Sequence, residues 1–135
     1  MKEEPYIPVS EVMSRDVRNI DRMATVREAM AAMAKAGVSS LVIKRNSERD
    51  ELGLLVVTDI AREVIAHNLS PDRVNVYEVM SKPVVTVPAD MDIKFAVQLL
   101  NRVGISRALV VDEKRDLAGI VTLRDMVLRY ADTHG

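Results

Sequence analysis

The sequence repeats itself at a fixed offset, and this repeat limits the chain to a fold made of two similar units. Residues 9–14, Val-Ser-Glu-Val-Met-Ser, match residues 76–81, Val-Tyr-Glu-Val-Met-Ser, at five of six positions and an offset of 67. The same offset carries Gly37 onto Gly104. A fixed period of this length indicates one supersecondary unit that is used twice.

Each copy contains an amphipathic helix that ends at a glycine. In the first copy, Thr25 followed three residues later by Glu28 forms a capping box, which predicts a helix that runs to about Ala36. Gly37 and Gly104 are suited to the left-handed position that ends a helix. Apolar residues recur at i, i+3, i+4 and i+7 in both copies, so one face of each helix should be buried. These residues are Val26, Ala29, Met30 and Met33 in the first copy, and Ile93, Ala96, Val97 and Leu100 in the second.

Two short strands and a second helix follow each glycine. Runs rich in β-branched residues, separated by short charged turns, predict a hairpin in each copy. The strands are 38–43 and 52–57 in the first copy and 105–111 and 117–121 in the second, with turns at 44–51 and 112–116 and closing helices at 59–68 and 124–130. The predicted unit is strand, helix, strand, strand, helix, an α/β (α+β) fold with repeats at 9–68 and 76–130 joined by a linker at 69–75.

Composition argues against several classes of protein. The net charge of −1 and the 3% aromatic content argue against nucleic-acid binding by charge or by base stacking. With no cysteine and two histidines, we expect no disulfide framework and no metal centre. We expect a cytoplasmic protein without a membrane partner, because the sequence has neither a signal peptide nor an apolar run of spanning length. It has no nucleophile–base pair or phosphate-transfer loop, so we expect no enzyme activity and no catalytic cofactor.

The starts of the two closing helices carry the residues most suited to binding. Gly119, Thr122 and Asp125 lie at a strand-to-helix junction, and the first copy has Gly and Asp at the same spacing in Gly53 and Asp59. A threonine there can cap the helix or help bind a phosphate, and an aspartate one turn later can accept hydrogen bonds from a ribose diol. Both residue types are also ordinary at helix starts that bind nothing.

The paired motifs resemble the CBS domain family, named for cystathionine β-synthase. They are the Val-Met-Ser opening, the Gly-Val-Ser or Gly-Ile-Ser strand start, and Gly-x-x-Thr-x-x-Asp before the last helix. The resemblance covers nearly the whole chain, which is identified as a tandem CBS pair, and we expect no attached effector domain. It implies two β-α-β-β-α repeats packed sheet to sheet about a pseudo-twofold axis. It also implies clefts that bind AMP, ADP, ATP or S-adenosylmethionine.

The resemblance assigns site residues to each copy. Those of the second copy are Thr86 at the adenine pocket, Ile105, Ser106, Arg107 and Ala108 along the strand that reads the adenine edge, Thr122 as the hydroxyl that meets phosphate or ribose, and Asp125 as the ribose acid. Apart from the resemblance, Arg124 or Arg107 can supply the positive charge that a phosphate needs beside a helix start. Those of the first copy are Asn19, Val38, Ser39, Leu41, Thr58 and Asp59. For Arg107 a solvated strand residue is an equal alternative, and Arg62 favours a surface role.

This chain departs from the family pattern at several positions. Val56 replaces the hydroxyl found at Thr122, although Thr58 can substitute for it, and Asn19 replaces the threonine found at Thr86. The family's strand proline is replaced by Val42 and Leu109, and we expect a local change at the strand edge there.

The resemblance implies a regulatory module that binds an adenine nucleotide and signals to a partner protein. The alternative is a structural dimerisation module with degenerate clefts. The complete hydroxyl-x-x-Asp pattern of the second copy predicts tighter binding there. A homodimer is also expected, because Met126, Val127 and Leu128 add apolar surface near the C-terminus.

Overall fold

The computed structural model describes residues 5–45, 52–81 and 84–134, which fall into two compact units. One unit contains the described part of residues 1–16 and 85–135, and the other contains the described part of residues 17–84. Each has a three-stranded sheet in which the first strand runs parallel to the central one and the third runs antiparallel to it. The predicted class and the predicted order of strand, helix, strand, strand, helix are confirmed in both copies.

The elements of the 17–84 unit are β1 (Asn19–Ile20), α1 (Val26–Ala36), β2 (Ser40–Ile43), β3 (Gly53–Val56), α2 (Val57–Ile60) and α3 (Val76–Val79). Its helix α2 continues into a π-helical turn, Ala61–Ile65, in which the Ala66 N–H donates to the Ala61 carbonyl. The sequence predicted a regular helix here, so the wider turn is a correction. Of the predicted turn 44–51, residues 46–51 lie outside the described residues.

The other unit begins with a 3-10 turn, Val9–Glu11, and its elements are β4 (Thr86–Pro88), α4 (Ile93–Val103), β5 (Arg107–Val111), β6 (Leu117–Thr122) and α5 (Leu123–His134). Helix α5 is longer than the predicted 124–130. The same strand order, β4-β5-β6, places β5 at the centre of the sheet.

Local signals fix the ends of the first helix of each copy. The Thr25 hydroxyl accepts a hydrogen bond from the Glu28 N–H at 3.1 Å, as the capping box predicts. Gly37 and Gly104 adopt positive φ angles of 67° and 81°, which a residue without a Cβ accommodates without strain. Both helices therefore end where the sequence predicts.

Each unit has its own apolar core between its sheet and helices. The core of the 17–84 unit is formed by Val26, Ala29, Met33, Leu41, Ile43, Leu55, Ile60, Val64 and Val76. That of the other unit is formed by Ile7, Val9, Val87, Ile93, Ala96, Leu100, Ala108, Val110, Val121 and Met126. The predicted buried helix faces supply three residues to each of these cores, which confirms the helical periodicity.

The opening segment of each sequence copy pairs with the last strand of the other copy. Ser14 exchanges two backbone hydrogen bonds with Ile120 on β6, at 2.8 and 3.0 Å. The Ser81 N–H donates to the Leu54 carbonyl on β3 at 2.9 Å. Each compact unit is thus completed by a segment that belongs to the other repeat of the sequence.

The repeated glycines leave room for these opening segments. A Cβ added to Gly119 would lie 2.5 Å from the carbonyl oxygen of Ser14 and 2.9 Å from the Met13 sulfur. A Cβ added to Gly53 would lie 2.7 Å from the Met80 sulfur. The glycines and the Met-Ser dipeptides are therefore matched parts of one contact, which occurs once in each unit.

Candidate functional site

The candidate site of the second copy is built where β6 passes into α5. Arg107 on β5 is directly opposite Thr122, the last residue of β6. The Leu123 N–H, the first of α5, donates to the Ser106 carbonyl at 2.8 Å. These bonds hold the start of β5 against the start of α5, so the strand residues and helix-start residues predicted for this site lie together.

Thr122 caps α5. Its hydroxyl accepts a hydrogen bond from the Asp125 N–H at 3.1 Å, which satisfies one of the donors that a helix start leaves unpaired. The capping role expected from the sequence is confirmed. Because the hydroxyl and not the carboxylate serves the cap, the Asp125 side chain is left for other contacts.

The Asp125 carboxylate faces solvent beside a positive charge. Its Oδ1 lies 3.6 Å from the Arg124 guanidinium, and the two side chains are 41% and 79% exposed. Within the described part of the chain, Arg124 is the only side chain paired with this carboxylate. An ion pair this exposed contributes at most about 1 kcal/mol to stability, so a ligand can replace it at little cost.

Thr86 lies on the opposite edge of the same sheet. It is exposed on β4, where it is opposite Leu109 on the central strand.

The two residues that replace the family's strand proline each donate a backbone hydrogen bond. The Leu109 N–H donates to the Val85 carbonyl at 3.1 Å, and in the other unit the Val42 N–H donates to the Arg18 carbonyl at 2.8 Å. A proline has no N–H to donate. The departure from the family's proline thus adds one backbone hydrogen bond to each sheet.

The corresponding acid of the first copy has different surroundings. The Asp59 side chain is 11% exposed and accepts three hydrogen bonds. They come from the Val56 N–H at 3.2 Å, the Arg62 guanidinium at 3.1 Å and the Ser81 hydroxyl at 3.3 Å. The backbone around it matches the second copy, because the Val57 N–H donates to the Ser39 carbonyl at 3.0 Å. The two acids therefore differ in side-chain contacts more than in backbone setting.

The remaining predicted residues take several positions. Asn19, Ser39, Thr58 and Ser106 are exposed, whereas Val38 and Ile105 are half-buried. Leu41 and Ala108 are each 1% exposed and lie in the two cores, so only their backbone groups can meet a ligand. Thr58 is the second residue of α2, two positions past the end of the β-ladder.

Sequence reasoning missed two residues that contact Asp59. Ser81 was part of the repeated opening, but its counterpart Ser14 has a hydroxyl that accepts from the Asp16 N–H instead. Arg62 was expected to be a solvent-exposed surface residue. Its side chain is 71% exposed, but its guanidinium also donates a hydrogen bond to Asp59. The i,i+3 spacing of Asp59 and Arg62 was the available signal for the second contact.

The described residues contain neither a group of three or more acidic or histidine side chains that could hold a metal nor a helix able to cross a membrane.

Comparisons with known protein families, sequences and structures match this chain to proteins with CBS domains and to uncharacterized relatives. The model described as "CBS domain" matches residues 9–66 and 76–132. An uncharacterized protein of Methanopyrus kandleri is 36% identical over 122 residues, which are 90% of this chain and 61% of that protein. The chain spans 39% to 61% of the length of three curated relatives.

Two similar solved structures contain adenosine compounds. The CBS domain pair of protein MJ0100, in complex with 5′-methylthioadenosine and S-adenosyl-L-methionine, is 25% identical with a TM-score of 0.80, covering 95% of this chain and 98% of that one. The CBS domain of a bacterial CNNM/CorC family Mg²⁺ transporter, in complex with ATP, is 27% identical with a TM-score of 0.76, covering 92% and 87%.

Proposed function

The chain belongs to the CBS domain family, and we propose that it is a regulatory module that binds an adenine nucleotide in the second-copy site. The observation that carries this proposal is that Thr122 and Asp125 have separate contacts at the start of α5. Thr122 caps the helix, so the Asp125 carboxylate is 41% exposed and paired only with an exposed arginine among the described residues. We propose no catalytic role for any of these residues.

The chemistry of the site suits a nucleoside phosphate. A carboxylate accepts hydrogen bonds from both hydroxyls of a ribose, and charge-assisted bonds of this kind are the stronger ones. The start of α5, a helix of 12 residues, offers partial positive charge, and Arg124 adds a full charge for a phosphate. The strand from Ile105 to Ala108 supplies backbone groups for the edge of the base. Thr86 is the side chain that borders the base in this arrangement.

The ligand class follows from what the two ligand-bound structures share. Their compounds, 5′-methylthioadenosine, S-adenosyl-L-methionine and ATP, have the adenosine group in common. We therefore propose AMP, ADP, ATP or S-adenosylmethionine as the ligand, with AMP tested first. A conformational change on binding, read by an effector protein, would make the module regulatory.

A thermal-shift titration tests the proposal. At 100 times its dissociation constant, a ligand that binds only the folded state stabilises the protein by about 2.7 kcal/mol. We expect AMP, ADP, ATP or S-adenosylmethionine to raise the Tm by several degrees. GMP at the same concentration is the control, because it carries the same ribose and phosphate with a different base. If none of the four adenosine compounds raises the Tm more than GMP does, the proposed function is wrong.

We also expect the chain to form a homodimer. Met126, expected to add apolar surface, instead lies fully buried in the core, which corrects part of the reasoning. Four apolar side chains of α4 and α5 are nevertheless about half exposed: Phe95, Val103, Val127 and Leu128. Helices α4 and α5 are neighbours, and large apolar side chains left exposed on neighbouring helices are a feature of interaction sites.

Light scattering measures the assembly directly. At micromolar concentration we expect a mass about twice the 15.0 kDa of the chain. Phe95→Glu should lower that mass, since a charge buried in an apolar contact is costly. Arg115→Glu, in the exposed turn between β5 and β6, is the control and should leave the mass unchanged. A monomeric mass for the unaltered chain would contradict the expectation.

A further inference from the structure

The acid of the first copy occupies the position of a ligand residue but is held by the protein itself. Its three hydrogen bonds and its burial distinguish it from Asp125. Its partners come from three places: the end of β3, the turn after α2, and the opening segment 76–81. Its Oδ2 already accepts from Val56 and Ser81 and its Oδ1 from Arg62, so a ribose diol that uses both oxygens would have to displace donors.

The sequence difference that accounts for this is Val56. In the second copy the hydroxyl of Thr122 accepts the N–H three residues later and caps the helix. Valine has no acceptor for the corresponding N–H, and the helix start relies instead on the Asp59 carboxylate, which accepts the N–H of the cap residue Val56 itself. This contact is the half of a capping box made by the third helical residue. The acid therefore stabilises the helix start where the usual cap is missing.

Two further differences strengthen the contact. Arg62, whose counterpart in the second copy is Leu128, supplies a cation that the second copy lacks at this position. Ser81 donates its hydroxyl to Asp59, whereas Ser14 uses its own hydroxyl to accept from the Asp16 backbone. The carboxylate thereby joins the start of α2 to the segment 76–81.

We infer that Asp59 is a structural acid which closes the first-copy site, so that the chain binds one nucleotide, at Asp125. Residue 56 then determines whether the acid of the site can bind a ligand. A hydroxyl at this position caps the helix and leaves the carboxylate available, whereas with valine the carboxylate stays bonded within the protein. This inference rests on the proposed function for its ligand, but its structural half stands without it.

Two matched alanine variants test both halves. Asp59→Ala should lower the Tm by about 4 °C or more, because three partly buried hydrogen bonds to one carboxylate are lost. It should change the dissociation constant for AMP less than twofold. Asp125→Ala should give the reverse, with a smaller fall in Tm than Asp59→Ala and a large loss of AMP affinity. Calorimetric titration of the unaltered chain should give one AMP per chain.

A double variant keeps the structural half testable without any ligand. If Asp59 compensates for a missing cap, adding Val56→Thr to the Asp59→Ala chain should reverse at least half of the decrease in Tm. The reason is that threonine can cap α2 itself. The inference is overturned if Asp59→Ala leaves the Tm within 1 °C, if Val56→Thr restores nothing, or if two AMP bind per chain. A chain that binds none of the four adenosine compounds but shows the restored Tm would reject the proposed function and retain the structural role of Asp59.

Discussion

Asp125→Ala is expected to weaken AMP binding by one to two orders of magnitude and to leave the fold intact. Hydrogen bonds between a carboxylate and a ribose diol are charge-assisted, each worth roughly 1.5–3 kcal/mol, and alanine removes them all. The contacts that Asp125 makes within the protein are weak by comparison. Its ion pair with the exposed Arg124 contributes about 0–1 kcal/mol, and its charge near the helix start about 0.3–1 kcal/mol.

The measurement is AMP affinity by calorimetry together with a melt of each protein with and without AMP. A comparison of AMP with its 2′,3′-dideoxy analogue isolates the diol. The unaltered chain should prefer AMP by about tenfold or more, and Asp125→Ala should bind the two equally, because the carboxylate that distinguishes them is gone. Should the variant melt lower yet keep the full AMP shift, Asp125 would be an ordinary helix-start residue.

Local patterns in the sequence were sufficient to predict the first helix and the hairpin strands of each copy, but not the π-helical turn at Ala61–Ile65 or the short helix α3. The helix ends at Ala36 and Val103 follow from Gly37 and Gly104, whose positive φ angles are a property of single residues and their neighbours. The buried faces of α1 and α4 follow from periodicity along one helix. Such signals act within a few residues, so one sequence is enough to read them.

The pairing of the opening segments could not be predicted in the same way. Residues 9–14 resemble 76–81 equally well whether each segment joins its own copy or the other one. The hydrogen bonds of Ser14 with Ile120 span more than 100 residues, and no local propensity records them. Gly119 was recognisable as part of a motif, but the sequence does not show why glycine is needed there. In the structure, a Cβ at this position would lie 2.5 Å from the carbonyl oxygen of Ser14.

The difference between the two acids was predictable only in part. The sequence shows Val56 in place of a hydroxyl and so predicted a weaker first site. It does not show which groups the carboxylate contacts. Those contacts depend on Ser81, which is 22 residues away, and on packing that leaves the Asp59 side chain only 11% exposed. One residue type at one motif position thus has two sets of contacts, set by its neighbours in space.

Gly119→Ala is expected to lower the free energy of unfolding by about 1–3 kcal/mol, the usual cost of forcing an extra carbon into a packed contact. The new methyl group would lie 2.5 Å from the Ser14 carbonyl oxygen and 2.9 Å from the Met13 sulfur. The carbonyl cannot move aside alone, because it accepts the Ile120 N–H at 3.0 Å while the Ser14 N–H donates back at 2.8 Å. The segment must therefore shift away from β6 and weaken both hydrogen bonds.

Gly53→Ala is the matched control for this prediction. Its methyl group would first meet the Met80 sulfur at 2.7 Å, which is the end of a flexible side chain, and then the Cβ of Ile43 at 3.0 Å. Methionine adapts to such changes more readily than backbone does. Denaturant unfolding of both variants should show the larger loss for Gly119→Ala, by about 1 kcal/mol or more. Equal losses would mean that the contact of residues 9–14 with β6 yields as easily as a side chain, and that the glycine is not required by the close approach of the backbone.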